Sequence, residues 1–193
     1  METINWTNPV NLSSRTYICG YCGHSIASQL GYPGRMIHTD RSVHIYICHQ
    51  CLKPTFFNYD GQQTPGAKFG QAIKHIPDDN ISKLYNESRA CYTINAFTSA
   101  VMCCRKLLMN IAVSEGADEG KSFVEYVSFL NEKNYIPPKG KSWADAIRKL
   151  GNEANHSIEF KSQEDARLII TFTEMLLKFI YEMPGLLGES LSI

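Results

Sequence analysis

The chain has 193 residues, 44% of them hydrophobic, and 19 basic against 19 acidic side chains leave a formal charge of zero. That balance excludes wholesale disorder, and it excludes a built-in long-range attraction to nucleic acid or anionic membrane, so any such binding has to be local. Met1 to Val10 lack a basic segment followed by an apolar run, and no later stretch approaches the roughly 18 apolar residues of a spanning helix, which points to a soluble cytoplasmic protein with no membrane partner.

Residues 1–14, with Trp6, Pro9 and a Ser/Asn-rich tract, read as an irregular lead-in held onto the fold by its tryptophan. Residues 15–60 carry the most specific signal. Cys19-Gly-Tyr-Cys22-Gly and, after 25 intervening residues, Cys48-His-Gln-Cys51 each follow a β-prone aromatic and aliphatic run. A Cys-x-x-Cys pair puts two thiolates at the tip of a tight knuckle, and Gly23 suits the unusual backbone angles there. Two facing knuckles supply four sulfurs about 2.3 Å from one tetrahedral Zn²⁺ with no open position. The pattern therefore predicts a structural zinc ribbon with Cys19, Cys22, Cys48 and Cys51 as ligands and one Zn²⁺ per chain. A rubredoxin-type iron centre would use similar pairs, whereas two redox dithiols would want a βαβ context that is missing. His24 and His49 read as outer groups beside the knuckles. The odd total of seven cysteines argues against a secreted disulfide framework. So short a module cannot be held by burial alone, which makes metal a large part of its folding free energy. Its basic groups (Arg15, Arg35, Arg41, Lys53) are cancelled by Asp40, Asp60 and the double negative charge of a zinc tetrathiolate. This favours a structural or protein-docking ribbon over one that binds nucleic acid.

Residues 61–77, rich in glycine and ending in proline, read as a linker, and a helical pattern begins at Asp78. Asp78 or Asp79 can cap a first helix to about Asn95. A second helix from about Ala96 to Ser114 repeats apolar residues at three and four, which makes Cys104 a small core residue. Gly116 and Gly120 break the chain before a third helix, about Ser122 to Asn134, that Pro137 and Pro138 stop. Ser142 and Asp145 resemble a capping box for a fourth helix burying Trp143, Ala146, Ile147 and Leu150. A fifth helix opens at Ser162 and runs to about Tyr181, with Pro184 beyond its end and residues 185–193 as a tail. The expected fold class is α+β, a small β zinc ribbon followed by an all-α antiparallel bundle over 78–184.

The fourth helix carries Arg148, Asn152 and His156 at four-residue intervals. Each such step drifts only about 40° and climbs about 6 Å, so the three form one slanted polar stripe. The stripe is either a solvated face, with Asn152 and His156 closing a helix end, or a functional seam. Gly151 costs about 1 kcal/mol relative to alanine in mid-helix, which suggests close helix approach, a local break or room for a ligand.

Three stretches carry a resemblance: Ile-Pro-Asp-Asp-Asn-Ile-Ser-Lys-Leu-Tyr-Asn-Glu-Ser-Arg (76–89), Val-Met-Cys-Cys-Arg-Lys-Leu-Leu (101–108) and Ile-Arg-Lys-Leu-Gly-Asn-Glu-Ala-Asn-His (147–156). Together they resemble the family called domain of unknown function 4145, within the HEPN-like group of helical bundles, where a preceding zinc ribbon recurs. The resemblance implies a bacterial defence setting, a partner protein in a defence or restriction complex, and homodimerisation through the fourth-helix region. HEPN ribonucleases pair Arg and His motifs across a dimer cleft and cut RNA without metal. By that analogy His156 would be general acid or base, Asn152 would orient it, and Arg148 or Arg105 would hold the phosphate. This sequence departs from the rule, with seven residues between Arg148 and His156 and Gly151 in the slot before Asn152. The departures favour a non-catalytic, RNA-directed binding or adaptor module over a metal-independent endoribonuclease. Residues 78–193 carry 13 basic and 16 acidic groups, so RNA would need a local cleft; Arg105, Lys106, Arg148 and Lys149 would build one if the second and fourth helices are neighbours.

Overall fold

A computed structural model describes residues 4–137, 140–150 and 159–190. The chain divides into two compact units, one taking in the residues up to Lys68 with Thr93–Asn95, the other the rest from Phe69.

In the first unit, β-branched and aromatic residues alternate with polar ones, the period of a pleated strand. Five strands result: β1 (Val10–Ile18), β2 (Ser25–Arg35), β3 (Ser42–Ile47), β4 (Pro54–Phe57) and β5 (Gln63–Thr64). They form one antiparallel meander in sequence order, with Tyr17 opposite Ile26, Gly31 opposite Tyr46, and Tyr46 opposite Thr55. β1 starts within the stretch read as a lead-in, and β5 lies within the stretch read as a linker. Gly31 is required by the pairing, since a Cβ there would stand 1.9 Å from the Ile45 carbonyl oxygen. A register shift bulges β1 between Asn11 and Arg15, and the Tyr46 hydroxyl donates to the Ser13 carbonyl in that bulge. Tyr17, Ile26, Tyr46 and Phe57 make the small core with Cys19 and Cys48, and Phe57 meets both tyrosines edge to face. The far strands are tied by side chains. Gln63 donates to the Ile18 carbonyl at 2.7 Å, while the Arg15 guanidinium lies 4.0 Å from the Phe57 ring centre and donates to Gly61.

The second unit is helical: α1 (Asp79–Thr93), α2 (Phe97–Ser114), α3 (Phe123–Glu132), α4 (Lys141–Leu150), α5 (Gln163–Leu177) and α6 (Met183–Ser190). Their ends follow local chemistry. The Asp78 carboxylate accepts the Asn80 N–H at the start of α1, and Ser122–Glu125 and Ser162–Asp165 form reciprocal capping boxes on α3 and α5. α2 ends at Gly116 and α3 at Asn134, both at positive φ. α2 packs on α3 and α5, and α4 packs on the same two helices. Leu107, Leu108, Ile111, Leu130, Ile147, Ile169, Ile170, Phe172 and Leu176 are buried between them.

Two expectations are corrected here. α4 already begins at Lys141, so Ser142 lies inside it; Asp145 pairs with Arg148, and the buried residues are Ala144, Ile147 and Leu150 while Trp143 is exposed. At the other end, α5 does not stop before Pro184. A π turn over Lys178–Glu182 carries the helix into α6, and Pro184 falls in the first turn after the ladder returns to α spacing, where its missing N–H is tolerated. Gly185 makes room for His75, whose Cβ would lie 2.5 Å from an added methyl.

Residues 69–76 lie over the bundle as a strap. Phe69, Ile73 and Ile76 pack into its core. Arg89, buried in α1, donates to the carbonyls of Phe69 and Gly70 at 3.0 and 2.7 Å, and Glu174 and Glu182 accept the N–H groups of Gln71 and Lys74. Gly70 is the pivot. Its φ is +73°, and an added Cβ would stand 2.9 Å from the Tyr85 hydroxyl and 3.0 Å from a Glu174 oxygen. Replacing it with alanine is therefore expected to cost about 2–3 kcal/mol, part from the left-handed backbone and part from the disturbed Tyr85–Glu174 contact. Urea unfolding followed by helical circular dichroism checks this, and an unchanged midpoint would mean that the strap is not clamped at Gly70.

Candidate metal centre and the polar stripe

The two Cys-x-x-Cys knuckles sit at alternate hairpin ends, one between β1 and β2 and the other between β3 and β4. They repeat one backbone design at an offset of 29 residues. In the first, Cys19 N–H donates to the His24 carbonyl, Gly23 N–H donates to the Cys19 carbonyl, and Gly23 has φ +76°. In the second, Cys48 N–H donates to Lys53, Leu52 N–H donates to Cys48, and Leu52 has φ +58°. Leu52 thus holds a conformation that glycine supplies in the first knuckle, at a cost on the order of 1 kcal/mol. The repeated spacing of the cysteines was the signal for it. Trp6 completes the second knuckle by donating its indole N–H to the Leu52 carbonyl at 2.7 Å, which is the strapping role its position suggested.

This backbone brings the four sulfurs together. Cys19 Sγ stands 3.7 Å from Cys51 Sγ, Cys22 Sγ stands 3.7 Å from Cys48 Sγ, and all four lie within 4.8 Å of one another. Four sulfurs on a tetrahedron at 2.3 Å from a central ion would be about 3.8 Å apart, so the site has the size of a four-thiolate metal centre. All four cysteines are free of disulfides. Burial, outweighing the bond from the Lys53 N–H and reinforced by the neighbouring sulfurs, pushes the Cys51 thiol up to about 12; burial likewise raises Cys22. Burial also opposes ionisation of Cys48, but N–H groups of Cys51 and Gln50 aimed at its sulfur bring it below the usual thiol value. These amides spread thiolate charge into the knuckle backbone. Tyr17, beside the cluster, is pushed up to about 12, first by burial and then by the nearby thiolate charges of Cys19, Cys48 and Cys51. Cys22 and Cys51 therefore hold their protons until a cation replaces them.

The polar stripe is only partly within view. Asn152 and His156 lie outside the described residues, as does Gly151. Arg148 is on the last turn of α4, and its guanidinium is engaged, pairing with Asp145 and donating to Ser128 Oγ of α3 at 3.2 Å. Arg105 is 8% exposed and lies over the Phe123 ring, 4.9 Å from its centre. Lys106 on α2 and Lys149 on α4 are exposed. The structure thus brings Arg148 to α3 and Arg105 to the start of α3, while the two lysines face solvent from separate helices.

A family model matches residues 86–191, more than half of the chain. The chain belongs to the family described as Domain of unknown function (DUF4145). The match begins inside α1 and takes in α2 to α6, so the DUF4145 region is the helical unit, and the four-cysteine sheet precedes it. No curated protein and no solved structure matches the chain. No helix among the described residues is long and apolar enough to cross a membrane.

Metal uptake at these thiols should release protons and weaken steeply as pH falls, since raised thiols must be deprotonated first. Zinc added to weakly buffered, metal-free protein with a pH indicator reads the release directly. Serine in place of Cys19 or Cys48, the two fully buried members of the cluster, is expected to abolish stoichiometric binding and unfold the sheet.

Proposed function

We propose that the four thiolates hold one structural Zn²⁺ and that the DUF4145 unit is a HEPN-like bundle acting as a non-catalytic, RNA-directed binding or adaptor module. The setting we propose is cytoplasmic, in bacterial phage defence, with the chain working as a homodimer beside a partner protein of a defence or restriction complex. Three lines support this reading. The metal site is closed by four protein sulfurs, which suits a structural ion and leaves no coordination position for a substrate. Tetrahedral tetrathiolate chemistry suits zinc without any redox partner. The observation that carries the choice of binding over cleavage is the state of Arg148. A phosphate-holding guanidinium has to turn its donors to the phosphate, and this one already gives its Nε–H to Ser128 and an Nη1–H to Asp145.

Elemental analysis of purified protein is expected to return one zinc per chain and no visible absorbance; an iron-dependent colour would replace zinc with iron. Incubated with single-stranded and structured RNA in chelator, the protein is expected to leave the RNA intact. Cleavage that persists in chelator and is lost in His156→Ala would instead establish a metal-independent ribonuclease.

A further inference from the structure

Of the seven cysteines, four form the metal cluster, and Cys104 is fully buried on α2 with Ser88 and Thr173 as its hydrogen-bonding neighbours. Cys91 of α1 and Cys103 of α2 remain, both half-buried and both free. The two thiols meet side chain to side chain, each the other's hydrogen-bonding neighbour. The backbone explains the meeting. Asn95, at φ +63°, turns the chain between the helices, and the Ala96 N–H donates to the Cys91 carbonyl at 2.9 Å, so α2 folds back against the last turn of α1. Cys103 and Cys104 are adjacent on α2 and meet Cys91 and Ser88, which lie one turn apart on α1, so two contacts fix the register of the helix pair. Among the described residues the only group of three or more metal-ligating side chains is the four-cysteine cluster, so this pair has no third ligand to complete a metal site.

We infer that Cys91 and Cys103 are a reversible oxidation site whose disulfide staples α1 to α2, the oxidant being a low-molecular-weight disulfide. One cysteine loses its proton and attacks a sulfur of that molecule, whose S–S bond breaks and whose other half leaves as a thiol. The second cysteine then attacks the protein sulfur of the mixed disulfide and expels the remaining half. Two protein thiols are oxidised to one disulfide, the small disulfide is reduced to two thiols, and the two protons pass to the two leaving sulfurs. Burial first, then the Glu87 charge one turn back on α1, raises the Cys91 thiol; burial, then Cys91 and Glu87, pushes Cys103 up to about 11. Because the thiolate is the attacking form, oxidation is slow at neutral pH and speeds up about tenfold from pH 7 to pH 8. In the cytoplasmic setting proposed above the dithiol is the resting state, and the bond closes residues 92–102 into a loop when that setting turns oxidising. The inference stands apart from the RNA-directed reading and from the metal site.

The test treats zinc-loaded, full-length protein with excess glutathione disulfide, then denatures it, blocks the remaining thiols with iodoacetamide and weighs the tryptic peptide 90–105. That peptide contains Cys91, Cys103 and Cys104 and none of the metal-site cysteines, so oxidation at the knuckles does not enter the measurement. It is expected to carry one blocking group in place of three, and no glutathione. In undigested protein the thermal midpoint of the helical circular dichroism is expected to rise by about 4 °C or more on oxidation and to return with dithiothreitol. Cys91→Ser and Cys103→Ser, both at half-buried positions, should fold and show no such rise, each stopping at a mixed disulfide with glutathione. Three blocking groups on the oxidised chain would overturn the proposal. So would a Cys91→Ser protein that still loses two thiols, because the bond would then join Cys103 to Cys104. A rate unchanged between pH 7 and pH 8 would overturn the exchange step.

Discussion

Four cysteine sulfurs packed within one ion's reach are a constraint that the first unit cannot satisfy by apolar packing. Ordering a residue costs about 1–2 kcal/mol of backbone entropy, and the sheet has only a few large side chains, Tyr17, Ile26, Tyr46 and Phe57, to bury against that. Burial is the first reason that Cys51 resists losing its proton, and the neighbouring sulfurs add to it. A cation reverses the sign of that interaction. Because each knuckle closes a different hairpin, one ion at their junction fixes both hairpin registers at once, and the buried Tyr17–Phe57–Tyr46 cluster lies directly behind it.

The helical unit is organised differently. Its core is large, and α2 and α5 are buried along much of their length between their neighbours. What needs explanation there is the polar network under the strap. Glu174 contacts the Tyr85 hydroxyl, the Gln71 N–H and Lys178, and Arg89 holds the strap's carbonyls. Burial first, then the Glu174 charge, drives the Tyr85 phenol far above its usual range, so it stays a neutral donor toward the carboxylate. The strap backbone has no strand or helix to satisfy it, and these side chains supply the missing partners. The π turn belongs to the same arrangement: Lys178, where it begins, reaches Gln71, and Glu182, where it ends, caps Lys74.

How much of this was legible depended on whether the determining interactions were local. Cysteine spacing is local, and it pointed directly to the four residues whose sulfurs the fold brings together. Apolar periodicity is local too, and it located α1, α2, α3 and α5 to within a few residues. The α4 face was misread because Ser142 and Asp145 satisfy a capping pattern in sequence. Its rotation is instead set by burying Ala144, Ile147 and Leu150 against α3 and α5, with Asp145 pairing forward to Arg148. Pro184 misled for a related reason, since a proline stops an ideal α ladder but not one that has just passed through a π turn. Leu52 could not be read at all from residue type, because a β-branch-free apolar residue does not announce a positive φ; only the second knuckle's likeness to the first reveals it.

The electrostatics of the bundle follow from where its cations end up. A unit with more acidic than basic groups has no field to gather a polyanion, so what matters is which basic side chains remain available. Arg148 and Arg89 are consumed by the fold, one by Asp145 and Ser128 and the other by the strap, and Arg105 is buried on an aromatic ring. A guanidinium's planar fork makes it the better structural group for carbonyls, carboxylates and rings, whereas an ammonium on a flexible stem stays in solvent. The arginines that first suggest phosphate contacts in this sequence are therefore the ones least able to make them. The exposed lysines of α2 and its following loop are what the packing leaves over.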